Sequence, residues 1–274
     1  MLRGSVANKV AILSFSTAKA NDCQQHRLNA GRQSEPQFTK LNHRACGPEK
    51  RKHTMNVFII GATGGVGRRL RKRLVNAGHQ VTGLHRRDSQ KEALEADGVK
   101  PVNIDLMNTS SERLAAAMQG CDAVVFSAGA AGAGVDLTDG IDGRGARFAA
   151  EAARLAGIQR FLLVSAFPDA GRGKAPSPGF EHYMQVKKQA DVMLSATSLD
   201  WVILRPGTLV NEAGTGKVNA GLAIPYGTIP RDDVAALLHS LIEQPEVKRV
   251  IIELTSGEQP VNEAVAAMAA FSGR

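Results

Sequence analysis

"NVFIIGATGGVGRRL" (Asn56–Leu70) runs from a short apolar segment through a glycine-rich turn into a basic segment. Asn56–Ile60 reads as a buried strand. Val66, Leu70 and Leu74 recur at helical spacing up to Gly78, so a helix follows the turn directly. Gly61, Gly64 and Gly67 are spaced G-x-x-G-x-x-G. Between a strand and a helix, three such glycines have separate uses: a tight turn, close approach of backbone to a pyrophosphate, and close strand–helix packing. The intervening Thr63, Gly65 and Val66 belong to the same phosphate turn. The helix start adds unpaired N–H groups and a positive dipole end.

Outward from this turn, apolar runs alternate with helical patterns. Further strands are expected at Gln80–Arg86, Val102–Leu106, Asp122–Gly129, Arg160–Ala166, Asp200–Pro206 and Lys248–Thr255. Helices are expected at Ile141–Ala156, Glu181–Ala196 and Val261–Phe271. Strands separated by helices join as parallel crossovers, and apolar runs without alternation suit strands covered on both faces. The expected fold class is therefore α/β, a doubly wound parallel sheet of the Rossmann type. It forms one domain over residues 55–274. The Gly/Pro-rich stretches Gly129–Gly145 and Pro168–Gly179 are expected as loops at the carboxyl edge of the strands, where such sheets bind ligands.

Residues 1–54 read differently. They hold ten of the 34 basic residues and three of the 26 acidic ones, which leaves 24 against 23 from Met55 onward. The net charge of +8 therefore sits mostly on this segment, which weakens a nucleic-acid reading of the remainder. Its one apolar patch, Val10–Phe15, is too short for the core of a secretion signal, and although its Arg/Ser richness and few acids resemble an organelle transit peptide, no sustained amphipathic helix is expected there. It is expected to be a disordered extension, or upstream sequence translated ahead of a natural start at Met55. Cys23, Cys46 and Cys121 form neither a disulfide framework nor a metal-ligand spacing, which fits a reducing, cytoplasmic setting. No apolar run reaches the ~20 residues of a membrane span.

The second strand runs out into "LHRRDS" (Leu84–Ser89). An NAD site usually carries an acid here for the ribose hydroxyls. Arg86 and Arg87 instead suit a ribose 2′-phosphate, held by paired guanidinium hydrogen bonds. NADP is the expected cofactor. Asp88 leaves NAD open, and two solvated surface arginines are the alternative. Asp105 and Leu106 close the third strand beside the expected adenine. Ser127, Ala128 and Gly129 close the fourth beside the expected nicotinamide ribose.

"VFIIGATGGVGRRL", "VILRPGTL" (Val202–Leu209), "IPRDDVAALL" (Ile229–Leu238) and "IELTSGEQPVNEAV" (Ile252–Val265) resemble the short-chain dehydrogenase/reductase superfamily. The likeness is to its atypical branch, with NmrA-like, epimerase/dehydratase-like and flavin-reductase-like members, and covers Met55 to the C-terminus. The resemblance implies NADP binding and reductase chemistry. It matches Tyr183 and Lys187, in "HYMQVKKQ", to the catalytic Tyr-x-x-x-Lys, with Ser165 upstream and Asp142 where the superfamily commonly has asparagine. At i and i+4 on one helix face, the Lys187 charge is expected to lower the Tyr183 pKa, and Lys187 is expected to hold the nicotinamide ribose. Ser165 would hydrogen-bond a substrate carbonyl. Pro206 and Gly207 are expected in the nicotinamide pocket wall.

The implied activity is hydride transfer to a small carbonyl, quinone or flavin. A non-catalytic NADP(H) sensor and a sugar epimerase or dehydratase are the alternatives. No membrane partner is expected, and the chain is a monomer or homodimer.

Overall fold

The computed structural model describes residues 54–130 and 132–273. The expectation for the N-terminal extension lies outside them. The first half runs β1 (Asn56–Ile60), α1 (Gly67–Asn76), β2 (Gln80–His85), α2 (Asp88–Ala96), β3 (Lys100–Asn103), α3 (Ser111–Met118) and β4 (Ala123–Phe126). Next come α4 (Val135–Leu137), α5 (Ala146–Leu155), β5 (Arg160–Val164), α6 (Pro178–Ser195) and β6 (Asp200–Pro206). The chain continues through β7 (Thr208–Val210), β8 (Lys217–Gly221), β9 (Thr228–Pro230), α7 (Arg231–Glu243), β10 (Val250–Ser256), β11 (Gln259–Pro260) and α8 (Val261–Met268).

The main sheet has the order β11-β8-β10-β6-β5-β4-β1-β2-β3. Seven of its strands are parallel, with β1 central and the order reversing between β1 and β4. A ligand crevice is expected at that reversal. β1 shows why the sheet is doubly wound. Val57 and Ile59 pack into one core with Leu70 and Leu74 of α1 and with α7 and α8, while Phe58 and Ile60 pack into the other with α3, α5 and α6. Ala146, Ala149, Ala150, Ala152 and Ala153 give α5 a small-residue buried face. Arg160, buried at the start of β5, donates to the carbonyls of Leu241 and Val247, both at 2.6 Å, and so pins β5 to the end of α7 and the turn into β10.

Three expectations need correction. The sheet is not wholly parallel: β8 and β11 run antiparallel on its β10 side, and β7 and β9 form a separate parallel pair. The third strand spans Lys100–Asn103 rather than Val102–Leu106. Asp105 takes the Met107 amide with its side chain (3.1 Å) and turns the chain into a short 3₁₀ segment, Leu106–Asn108. The stretch Gly129–Gly145 is not all loop. After α4, Thr138–Gly145 is a π-helical segment that runs straight into α5. The extra backbone in each π turn re-aims side chains, and here Asp142 is buried to 1% exposure.

Candidate active site

The β1–α1 turn tolerates little besides glycine. Gly61 has φ +92°, and a Cβ there would lie 2.5 Å from the Ala128 amide nitrogen. A Cβ on Gly67 would lie 2.1 Å from the Gly61 carbonyl oxygen. The Gly64 amide closes the turn onto that same carbonyl (2.9 Å). No side chain caps the amino end of α1, and its first turn holds no acid. Arg68, Arg69 and Leu70 already give their amides to the Gly64 and Val66 carbonyls, so the positive end offered to an anion is the Gly64–Val66 turn that lines the cleft. Arg69 braces the loop through the Gly65 carbonyl (2.8 Å).

A cleft of about 370 Å³ opens over this turn. It is lined by Gly61, Thr63, Gly64, Gly65, Val66, Arg86, Asp105, Leu106, Ser127, Ala128 and Gly129, and also by Asp142, Ser165, Tyr183 and Lys187. The structure thus brings the glycine turn and the expected catalytic group to one cavity. Gly67, Arg87, Pro206 and Gly207 lie outside its lining. Gly67 sits beneath the turn. Arg87 is the residue before α2, and Gly207 packs on the Gly227 carbonyl rather than on the cleft. A bare loop, an uncapped helix start and a cation at the end of β2 fit a dinucleotide: Gly61–Gly65 would hold its pyrophosphate and Arg86 its adenosine ribose.

At the far end of the cleft, Lys187 Nζ donates to the Val164 carbonyl (2.7 Å) and lies 3.4 Å from Asp142 Oδ1. Asp142 Oδ2 accepts the Ala130 amide (2.9 Å), so the π-helical segment, the β4 exit and α6 meet at one carboxylate. The expected depression of the Tyr183 pKa is overturned. Burial pushes the phenol up to about 12, and the charges of Asp142 and Asp191 add to the rise. The carboxylates Asp142 and Asp191 act against Lys187, whose ammonium is already engaged.

Asp191, one turn further along α6, pairs with Arg205 (2.9 Å). Burial holds its carboxyl above the usual range, against the opposing pull of Ser165, Arg205 and Lys187. Ser165 Oγ is buried and makes no well-aligned hydrogen bond, although it lies close enough to favour the Asp191 carboxylate.

Nine lining residues escaped the sequence reading for site roles. Ile60, Leu84, His85, Ile104, Ile141, Val164 and Leu209 form walls, and Gln90 and Arg231 carry polar groups into the cleft. Gln90 Oε1 accepts the amides of Arg86 (2.9 Å) and Arg87 (3.2 Å), which shapes the turn that presents Arg86. A glutamine three residues beyond a helix start was the available signal. Arg231 opens α7 after a proline, but nothing local tells that it reaches the glycine loop.

Away from the cleft, at the amino end of β2, ligand-type atoms of His79, His239 and Glu243 lie within 4.8 Å of one another. The Met55 amide donates to His79 Nδ1 (3.1 Å), which leaves the proton of a neutral imidazole on Nε2, facing Glu243. A ring held that way is a hydrogen-bond donor there, not a metal ligand.

The chain matches the NAD(P)H-binding family over residues 61–245. It is 40% identical over 213 residues to an uncharacterized sugar epimerase, YhfK, of Bacillus subtilis, covering 77% of this chain and 99% of that protein. The crystal structure of the oxidoreductase ylbE from Lactococcus lactis is similar, with 27% identity, a TM-score of 0.69 and coverage of 80% of this chain and 99% of that one. ChuY, an anaerobillin reductase from Escherichia coli O157:H7, shares 26% identity with a TM-score of 0.62, covering 73% of this chain and 97% of that one.

Proposed function

This chain belongs to the NAD(P)H-binding family, within the atypical branch of the short-chain dehydrogenase/reductase superfamily, and on that premise we propose that it is an NADPH-dependent oxidoreductase. The reaction is reduction of a small carbonyl, quinone or flavin acceptor. The observation that carries the reading is the convergence of the uncapped glycine turn with Tyr183, Lys187 and Ser165 in one cleft.

When bound, the cofactor supplies a hydride. The chain's own residues handle the proton and the geometry. A phenol whose pKa lies at about 12 stays protonated at neutral pH, so Tyr183 Oη is set to give a proton to the oxygen of a carbonyl under reduction rather than to accept one. Lys187, anchored by the Val164 carbonyl and Asp142, keeps a positive charge at the cleft floor, where a ribose hydroxyl and a developing oxyanion gain from it. Ser165 Oγ lacks a well-formed bond inside the wall, and a substrate oxygen would complete it. Arg86 at the cleft rim supports preference for a 2′-phosphate. The cysteine pattern fits work in the cytoplasm.

A second reading, a sugar epimerase, is favoured by the name of the Bacillus subtilis relative. It differs in regenerating its cofactor within each cycle. NADPH oxidation with a panel of aldehydes, quinones and flavins separates the two. We expect stoichiometric oxidation, and Tyr183→Phe slowing turnover of a carbonyl by about 100-fold or more while NADPH binding stays within about twofold. Tight binding without net oxidation by any acceptor would defeat the reductase reading, and an unchanged Tyr183→Phe rate would defeat the residue assignment.

A further inference from the structure

Arg231 begins α7, about 165 residues beyond the glycine turn, yet its side chain lies across that turn. A Cβ added to Gly65 would sit 2.8 Å from Arg231 Cδ and 2.9 Å from its Nε, so the guanidinium stem occupies the space that a side chain at position 65 would fill. One nitrogen, Nη1, donates to the Leu209 carbonyl (3.1 Å) and to Asn211 Oδ1 (3.0 Å), which fixes the plane of the group. Nε and Nη2 form no hydrogen bond with the described residues, and Arg231 lines the cleft.

The charge of Arg231 is also uncompensated among the described residues. Asp232, its neighbour, pairs with Arg69 (3.2 Å). Asp233 is buried and accepts the amides of Thr215 (3.0 Å) and Gly216 (2.8 Å). Both acids are turned elsewhere, and a fork-shaped cation is left over a bare loop. A guanidinium with two donors on one edge matches two oxygens of a phosphate.

We propose that Arg231 clamps the pyrophosphate of the dinucleotide against the Gly64–Gly65 turn from the α7 side of the cleft. The inference rests on the dinucleotide reading of the site. It assigns the two cleft arginines to different phosphates: Arg86 to the ribose 2′-phosphate and Arg231 to the pyrophosphate. The two are separable, because NADH lacks the first phosphate and adenosine 2′-phosphate lacks the pyrophosphate.

The test titrates the full chain and its Arg231→Ala and Arg231→Lys variants with NADPH, NADH and adenosine 2′-phosphate. Loss of a charged, two-donor contact is expected to weaken NADPH and NADH by the same factor, about 10- to 100-fold, with adenosine 2′-phosphate unchanged within about twofold. Arg231→Lys, which keeps the charge without the fork, should fall between. Equal NADPH binding by wild type and Arg231→Ala would overturn the clamp alone. Parallel loss of adenosine 2′-phosphate would also overturn it, since the effect of Arg231 would then not be confined to the pyrophosphate. A wild-type chain that binds neither dinucleotide would overturn the site reading itself.

Discussion

Lys187 Nζ lies 3.4 Å from Asp142 Oδ1, with both side chains buried. The pair joins α6 to the π-helical segment at the floor of the cleft. The negative charge of Asp142 reaches Tyr183, one turn back on α6.

Asp142→Asn should therefore lower the Tyr183 pKa from about 12 toward its ordinary 10, with burial preventing full return. The chain has two tyrosines. In a Tyr226→Phe background the phenolate absorbance belongs to Tyr183 among residues 55–274, and a pH titration reads it directly. Because the substitution also strips Lys187 of its counter-charge, stability should fall by about 3 kcal/mol. An unshifted titration would show that the Asp142 charge is not felt at the phenol.

Alkaline stability follows from the same group. Folding raises the Tyr183 pKa, so its contribution is fully present below about 10 and is lost as pH rises through about 12. Denaturant unfolding of the wild type between those values should show a fall in stability that Tyr183→Phe lacks. Parallel curves for the two proteins would contradict the burial argument.

Gly67→Ala and Gly65→Ala should fail differently. The first forces a Cβ onto a backbone oxygen at 2.1 Å, which cannot move without opening the turn. A loss of about 3 kcal/mol or more in folding stability is expected. The second meets only the Arg231 side chain, which can swing away. It should fold with nearly wild-type stability and bind NADPH more weakly. Thermal melts beside NADPH titrations distinguish the two outcomes.

Cofactor preference should depend on one of the two adjacent arginines. Arg86 lines the cleft and Arg87 does not. Arg86→Ala is expected to weaken NADPH by about 10-fold or more relative to NADH, while Arg87→Ala changes the ratio by less than about twofold. Equal weakening of both cofactors by Arg86→Ala would remove the 2′-phosphate contact from the account.

Much of this is legible in the amino-acid sequence. The glycine turn was readable because its requirements are steric and local: a positive φ at Gly61 and a contact at Gly67 involve residues within one turn. Strands β1, β4, β5 and β6 were readable because burial on both faces demands an unbroken apolar run. Helices α2, α3 and α7 were not identified as elements. The antiparallel β8 was also missed, since its place depends on pairing with β10 across more than thirty residues.

The site divides along the same line. That Tyr183 and Lys187 share a helix face follows from a 3.6-residue repeat, which any chain segment carries within itself. Which groups surround them does not. The rise of the Tyr183 pKa, the engagement of Lys187 by Asp142 and the reach of Arg231 over Gly65 all depend on desolvation and on distances between segments far apart in the chain. Local sterics and periodicity belong to neighbouring residues, whereas electrostatic environment exists only once packing has excluded water and brought distant charges within a few ångströms.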